Sequence, residues 1–304
     1  MTIPVELSVD LQAKVKPFEN LILAALDEIK NTRKAFSFRS LPKLCTVLGG
    51  GMRGKEFTIL CGSTGSGKTT LLAQWSMELM QAGVPQLVMS VETGPLDYVK
   101  RVLSCFERRN INQINLTNEE LANIIRKNRE HIVAKAYLGL YEDRMSVDDL
   151  VATIRYYHSE HGVQFVFLDN LNFFMEVTRS QDAIVEMDRV VHELVILCKQ
   201  IDVHVVMVMH PKKTQAGSTR VTSEFDIKGS SLAVQEAHNV ILFNRPEASE
   251  LESGRCLFTD REITVAKCRK NGQFVHQPFL VSCTEGVYYN DKQAPTSAHG
   301  GFRK

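Results

Sequence analysis

The residues whose types and spacing carry chemistry most plainly are Gly62, Ser63, Thr64, Gly65, Ser66, Gly67, Lys68 and Thr69, with Thr70 following. They satisfy G-x-x-x-x-G-K-[ST], the phosphate-loop pattern, whose glycines let successive backbone N–H groups curl around an anion. In that pattern the lysine, Lys68, reaches the β- and γ-phosphate oxygens of a nucleotide, and the Thr69 hydroxyl ligates Mg²⁺. Three further residues join the loop if the strands before them share one sheet, because ligands of open parallel sheets lie beyond the carboxyl ends of the strands. These are Glu92, Asp169 and His210, each following an apolar run. Asp169 suits a carboxylate that holds Mg²⁺, or a simple strand cap. Glu92 is placed either to orient and deprotonate an attacking water or to cap the helix after it. His210 is either a reporter of the γ-phosphate that exchanges partners on hydrolysis or an ordinary strand-end histidine.

The chain around these residues alternates apolar runs with helical periods. FTIL before the loop reads as a buried strand and TLLAQWSMELMQA after it as a helix. Further strands are expected at 86–91, 136–141, 165–169, 203–210 and 239–244. Helices are expected from about Pro95 to Arg108, from the capping box Thr117-x-x-Glu120, from Ser146-x-x-Asp149 through His158, and over 182–201. Near-continuous apolar strands separated by helices predict an α/β fold with a mainly parallel central sheet flanked by helices. ITVAKC, FLVSC and VYY, past residue 255, predict antiparallel strands at one edge. Ahead of the sheet, Phe18, Leu21, Ile22, Ala25, Leu26, Ile29 and Phe36 recur at helical spacing. That amphipathic helix covers either its own domain or a neighbouring copy. A linker follows it, and GGGMRGKE at 49–56 supplies tight turns. The expected organisation is an arm and helix over 1–40, a nucleotide-binding domain over 41–290 and a disordered tail over 291–304.

Composition narrows the classes. The 304 residues are 44% hydrophobic, enough for a large core. A formal net charge of +1 means that any polyanion site must be a local cluster of Lys and Arg. Seven cysteines without a C-x-x-C pair argue against a zinc ribbon or disulfide framework and for a reduced, cytoplasmic compartment. MTIPVELSVDLQAKV lacks the features of a signal or transit peptide, and no run approaches a membrane span. Lys212 and Lys213 open a long polar segment that also holds Arg220 and Lys228 and has no hydrophobic period. A connection this long inside a compact domain is either functional or a floppy surface loop.

In order along the chain, GSTGSGKT, SVET, FVFLDN, VVMVMHPKK, IKGSSLAVQEAHNVILFNR and VAKCRKNG resemble the helicase domains of the Twinkle and phage primase-helicase family, among the DnaB-type ring helicases. The resemblance covers about residues 40–290, and Asp169-Asn170 and His210-Pro211-Lys212-Lys213 lie nearer its Twinkle side. It implies a RecA-like core that assembles into a ring, a hexamer, and translocates 5′-to-3′ on single-stranded DNA. Forked DNA is then unwound with Mg²⁺ and ATP or dTTP hydrolysis. On matching positions it implies that His210 senses the γ-phosphate and that Gln235 links nucleotide state to DNA contact. It likewise implies that Arg269 is an arginine finger and Lys267 its companion, both acting in the neighbouring subunit's site. A solvated charge pattern on an edge strand is the other reading of that pair. The DNA-binding residues it implies are Lys212, Lys213, Arg220 and Lys228, lining the pore. A second pore-facing candidate is the loop LNFFMEVTRSQD, with Phe173 and Phe174 expected in the core.

Only the first 40 residues precede the matching region, which leaves no room for a primase or a helical N-terminal domain. A separate primase is therefore expected, with a loader or polymerase as further candidates, in a bacterial or phage-infected host cytoplasm. The helix at 18–36 takes the place of the family's linker helix, which docks on the adjacent subunit. Two other functions stay open. One is a RecA-like DNA-dependent ATPase that builds a filament without unwinding. The other, a regulatory ATPase of the circadian-clock kind, would show no salt-sensitive binding to single strands.

Overall fold

The computed structural model describes residues 34–90, 92–111, 117–133, 138–141, 143, 145–169, 180–212, 220–221, 223–227, 231–254, 256–270, 273–274 and 277–292, together with Ile22 and Leu26. The chain divides into two units, Met1–Lys34 and Ala35–Lys304. In the first, Ile22 and Leu26 are helical and exposed, and the rest of the expected amphipathic helix up to residue 33 lies outside the described residues.

In the second unit the strands are β1 (Phe57–Cys61), β2 (Gln86–Ser90), β3 (Leu138–Tyr141), β4 (Phe165–Asp169), β5 (His204–Met209), β6 (Asn239–Asn244), β7 (Arg261–Cys268), β8 (Gln273–Phe274), β9 (Phe279–Thr284) and β10 (Tyr288–Asp291). The helices are α1 (Pro42–Val47), α2 (Lys68–Ala82), α3 (Pro95–Glu107), α4 (Asn118–Val133), α5 (Val147–His161), α6 (Ser180–Gln200), α7 (Ser231–Glu236) and α8 (Ala248–Glu252). One sheet runs β10-β9-β7-β6-β1-β5-β4-β2-β3, with β8 paired to β7. The strands from β6 to β3 are parallel, and β7, β8, β9 and β10 pair antiparallel at the other side.

Strand periodicity divides the core. Phe57, Ile59 and Cys61 face one layer, which holds Leu150 and Ile154 of α5 and Leu194 and Cys198 of α6. Leu60 faces the other, with Leu71, Leu72 and Trp75 of α2 and Tyr98 of α3. All of β1, β2, β4, β5 and β6 is buried, as strands covered on both faces require. Helix starts follow local chemistry. Thr117 Oγ1 accepts from Glu120 N at 3.2 Å while Thr117 N donates to Glu120 Oε2 at 2.8 Å, and Ser146 Oγ accepts from Asp149 N at 3.1 Å. α5 runs past His158 to His161, where Gly162 takes the left-handed conformation that ends it.

The stretch after the first helix is corrected by the structure. Phe36 is not helical; it bridges Met52, and its ring meets Phe38 at 4.9 Å and Phe165 at 5.8 Å. The segment read as a linker instead buries Phe38, Leu41, Leu44, Leu48 and Met52 around α1. Apolar side chains at this density are worth more inside the core than in a solvated connection.

Candidate active site

The phosphate loop joins β1 to α2. Gly65 and Gly67 have φ of +73° and +103°, and a Cβ on Gly62 would lie 2.3 Å from the Phe243 carbonyl oxygen. Glycine is therefore required by backbone conformation at two positions and by close approach at the third. α2 starts without a side-chain cap and without an acid in its first turn, so its first N–H groups are left to an anion. The Lys68 ammonium donates to the loop's own carbonyls at Gly62 (2.7 Å) and Ser63 (2.9 Å). Burial favours its neutral form, opposed by the charge of Asp169, and lowers its pKa.

Parallel register carries the end of β4 to the same edge. The Thr69 hydroxyl donates to Asp169 Oδ2 at 2.9 Å. Asp169 is 1% exposed, and burial pushes its carboxyl up to about 6, with the Thr69 hydrogen bond acting the other way. Among the described residues no three His, Cys, Asp or Glu side chains form a metal cage. A hydroxyl beside one buried carboxylate does fit Mg²⁺, which keeps waters and shares its remaining positions with substrate phosphates. The Ser66 hydroxyl, buried in the loop, makes no hydrogen bond, and so adds an unsatisfied polar atom to an anion cradle.

A cleft of about 330 Å³ opens over the loop and takes in Glu92, Asp169 and His210, the three strand-end residues expected there, along with Thr64 and Thr70. Glu92 is exposed in it, and its charge bears on both Lys68 and Asp169. Four residues absent from the sequence reading also belong to this edge. Arg101 of α3 and Tyr289 of β10 line the cleft. Arg261 at the start of β7 donates through Nε to Ser66 O at 2.5 Å, and Arg245 after β6 donates through Nε to Gly65 O at 2.9 Å. Arg245 closes the run IKGSSLAVQEAHNVILFNR without a role assigned to it there, and Arg101, Arg261 and Tyr289 carry no local motif.

The other charged pair lies elsewhere. β7 is antiparallel to β6 and pairs Lys267 with Val240 and Cys268 with Asn239, at the amino ends of the parallel strands. A register shift between Val240 and Ile241 re-aims the strand beside Lys267. Lys267 Nζ donates to the Val234 and Gln235 carbonyls, both at 2.7 Å, and Arg269 donates to the Gln235 carbonyl at 2.5 Å. Two cations thus close the carboxyl end of α7, where the helix dipole favours them. Gln235, Lys267 and Arg269 come together, and none of them lines the cleft.

The DNA-binding candidates separate. Lys212 is exposed. Arg220 is held by Glu247 (3.3 Å), Glu250 (3.2 Å) and Glu262 (2.5 Å), so its charge is met within the chain. Lys213, Lys228, Phe173, Phe174 and the tail from 293 lie outside the described residues. Among the described residues no helix is long and apolar enough to cross a membrane.

A phosphate loop after β1 with a buried carboxylate at the end of β4, one strand removed across β5, defines a phosphate-loop NTPase. The family model for the DnaB-like helicase C-terminal domain matches residues 38–280, and the chain belongs to that family. It is thus an enzyme of the helicase NTPase class. Two solved structures share its fold. An isolated ATPase domain superposes with a TM-score of 0.71 at 13% identity, over 92% of this chain and 100% of that one. A DnaB-like replicative helicase, described with its interactions with primase, gives 0.71 at 14% identity, over 93% of this chain and 70% of the other.

Proposed function

We propose that this chain is the motor of a replicative DNA helicase that assembles into a ring, a hexamer, and moves 5′-to-3′ on single-stranded DNA. The observation that carries this reading is the division of charge across the sheet. Lys68, Thr69, Glu92, Asp169 and His210 occupy one edge, while Lys267 and Arg269 sit at the other on the end of α7. Each edge supplies half of a hydrolytic site, and copies arranged head to tail complete it.

ATP or dTTP lies in the cleft with its phosphates on the loop. Lys68 exchanges the Gly62 and Ser63 carbonyls for phosphate oxygens. Thr69 and Asp169 hold Mg²⁺, which when bound neutralises phosphate charge. Glu92 takes a proton from the water that attacks the γ-phosphorus as the bond to the β-phosphate oxygen breaks. The neighbour's arginine finger, Arg269, with Lys267 beside it, meets charge developing in the transition state, an effect of about 10³–10⁵ in rate where fingers have been measured. His210 reports the γ-phosphate to Lys212, which contacts DNA, and Gln235 links the same signal to the donor edge. A separate primase, and a loader or polymerase, complete the replication assembly.

Strand displacement on a forked duplex, with ATP and with dTTP over a range of protein concentration, tests this. The expected result is unwinding that rises steeply with concentration and needs a 5′ tail. DNA-stimulated hydrolysis on open filaments, without displacement, would refute it in favour of the RecA-like alternative.

A further inference from the structure

Beyond β5 the chain runs through His210, Pro211 and Lys212, and a second segment, residues 223–227, pairs with it. Pro211 and Ile227 form an antiparallel bridge, and Lys212 N donates to Asp226 O at 2.7 Å. Glu224–Asp226 is one turn of 3₁₀ helix closed by a capping box between Ser223 and Asp226, with Ser223 N donating to Asp226 Oδ2 at 2.9 Å. Ile227, 3% exposed, anchors the turn in the core. On this fixed turn the Phe225 side chain is 74% exposed. Beneath it, the Lys212 ammonium donates to the Phe225 carbonyl at 3.0 Å, which uses one of its three protons.

We propose that Phe225 is a stacking platform for the bases of single-stranded DNA, with Lys212 holding the adjacent phosphate. The inference rests on the proposed reading that the chain binds a single strand, and it adds a base contact to it. The chemistry follows from the pairing. A lysine attracts the backbone whatever the sequence, and an aromatic face accepts any base because every base has a π-face. Rigidity matters here, because a turn whose backbone is already hydrogen-bonded loses little further backbone freedom when its ring stacks. The turn is also tied to the motor. His210 lines the nucleotide cleft, and two residues later Lys212 is bonded to the turn, so a shift at His210 is delivered to Phe225 through one short segment. Among the described residues the other strongly exposed phenylalanine, Phe258, lies under the Arg245 guanidinium at 5.7 Å, on the arginine that holds the phosphate loop. It therefore belongs to the nucleotide edge.

The test uses the full chain and a labelled oligo-dT. Trp75, the one tryptophan, is fully buried, so Phe225→Trp adds a single exposed indole. Oligo-dT should quench that added emission. Phe225→Ala should weaken binding, read by anisotropy, by about five- to a hundredfold. Its salt dependence should match the wild type, because no phosphate contact is removed; Lys212→Ala should instead reduce the salt slope by about one. The stacking role is overturned if the wild type binds and Phe225→Ala stays within about twofold of it, or if Phe225→Trp binds with unchanged emission. It is equally overturned if sedimentation shows that Phe225→Ala loses affinity only by failing to assemble, which would place the ring at a subunit contact. A wild-type chain that does not bind oligo-dT would remove the DNA reading itself.

Discussion

Arg261 offers the sharpest test of how the phosphate loop is held. The residue is 9% exposed. Its guanidinium donates to Ser66 O at 2.5 Å and, through Nη1, to Phe258 O at 3.0 Å and Asp260 O at 2.6 Å. A hydrogen bond from a charged donor contributes about 1.5–3 kcal/mol, so three independent bonds would give about 4.5–9 kcal/mol. They share one side chain, and water reaches part of the space it vacates, so the contributions do not add. Arg261→Ala should therefore cost about 3–5 kcal/mol of stability in urea unfolding, the lost charged-donor bonds together with the carbonyls left unmet. Arg261→Lys should fall between, because one ammonium cannot span the loop and the strand as the planar fork does. Because Ser66 lies inside the phosphate loop, Arg261→Ala should also weaken binding of a fluorescent nucleotide. Stability within about 1 kcal/mol of the wild type would refute the argument. Lost stability with unchanged nucleotide affinity would show that the arginine secures β7 and leaves the loop indifferent.

Arg269→Ala should abolish hydrolysis while leaving nucleotide binding nearly intact, and activity should return in part when it is mixed with a Lys68→Ala chain; normal hydrolysis by the single variant would remove the finger assignment. Gly67→Ala forces a side chain onto φ +103° with its Cβ 2.1 Å from Tyr289 Oη, so we expect a loss of about 2–5 kcal/mol in thermal or urea unfolding and no nucleotide binding. His204 is fully buried between the Arg53 carbonyl (2.6 Å) and the Thr58 hydroxyl (3.0 Å), and burial lowers its pKa from 6.5 to about 4. The folded state resists the proton that the unfolded chain accepts, so this stability is complete above about pH 6.5 and about 3 kcal/mol is lost by pH 4. His204→Gln should remove that loss, and a variant whose pH–stability curve runs parallel to the wild type's over the interval would contradict the assignment.

The parts of the site that sequence revealed are those made by neighbours in the chain. Lys68 and Thr69 belong to one continuous motif, and Glu92, Asp169 and His210 follow apolar strands, so a parallel sheet brings them together once the strands are recognised. Arg245 and Arg261 reach the same loop from 180 and 195 residues away, and only the pairing of β6 and β7 reveals that. The surroundings of Arg220 were hidden in sequence for a similar reason. In sequence it is a cation in a polar stretch, whereas in space Glu247, Glu250 and Glu262 converge on it from two other elements. The spacing of Phe36 fits a helix, yet its ring is more stable between Phe38 and Phe165 than on a helix face.

The two edges of the sheet constrain how copies of this chain can cooperate. Arg261 touches the phosphate loop at one end of β7, and Arg269 follows the other end. At roughly 3.3 Å per residue, that strand carries Arg269 some 25 Å from its own loop, far beyond the reach of a side chain. If Arg269 acts in hydrolysis, it therefore acts on another copy. The contact that lets it do so joins unlike surfaces, donor edge to loop edge; a two-fold dimer satisfies both copies only by laying them antiparallel with both contacts in one patch, whereas a repeated rotation satisfies each copy head to tail. Head-to-tail contacts either close into a ring or continue as a filament, according to the rotation from one copy to the next. The chemistry of the site is the same in both assemblies. The closed one encircles a strand, and that geometry is what separates a helicase from a scaffold built on the same fold.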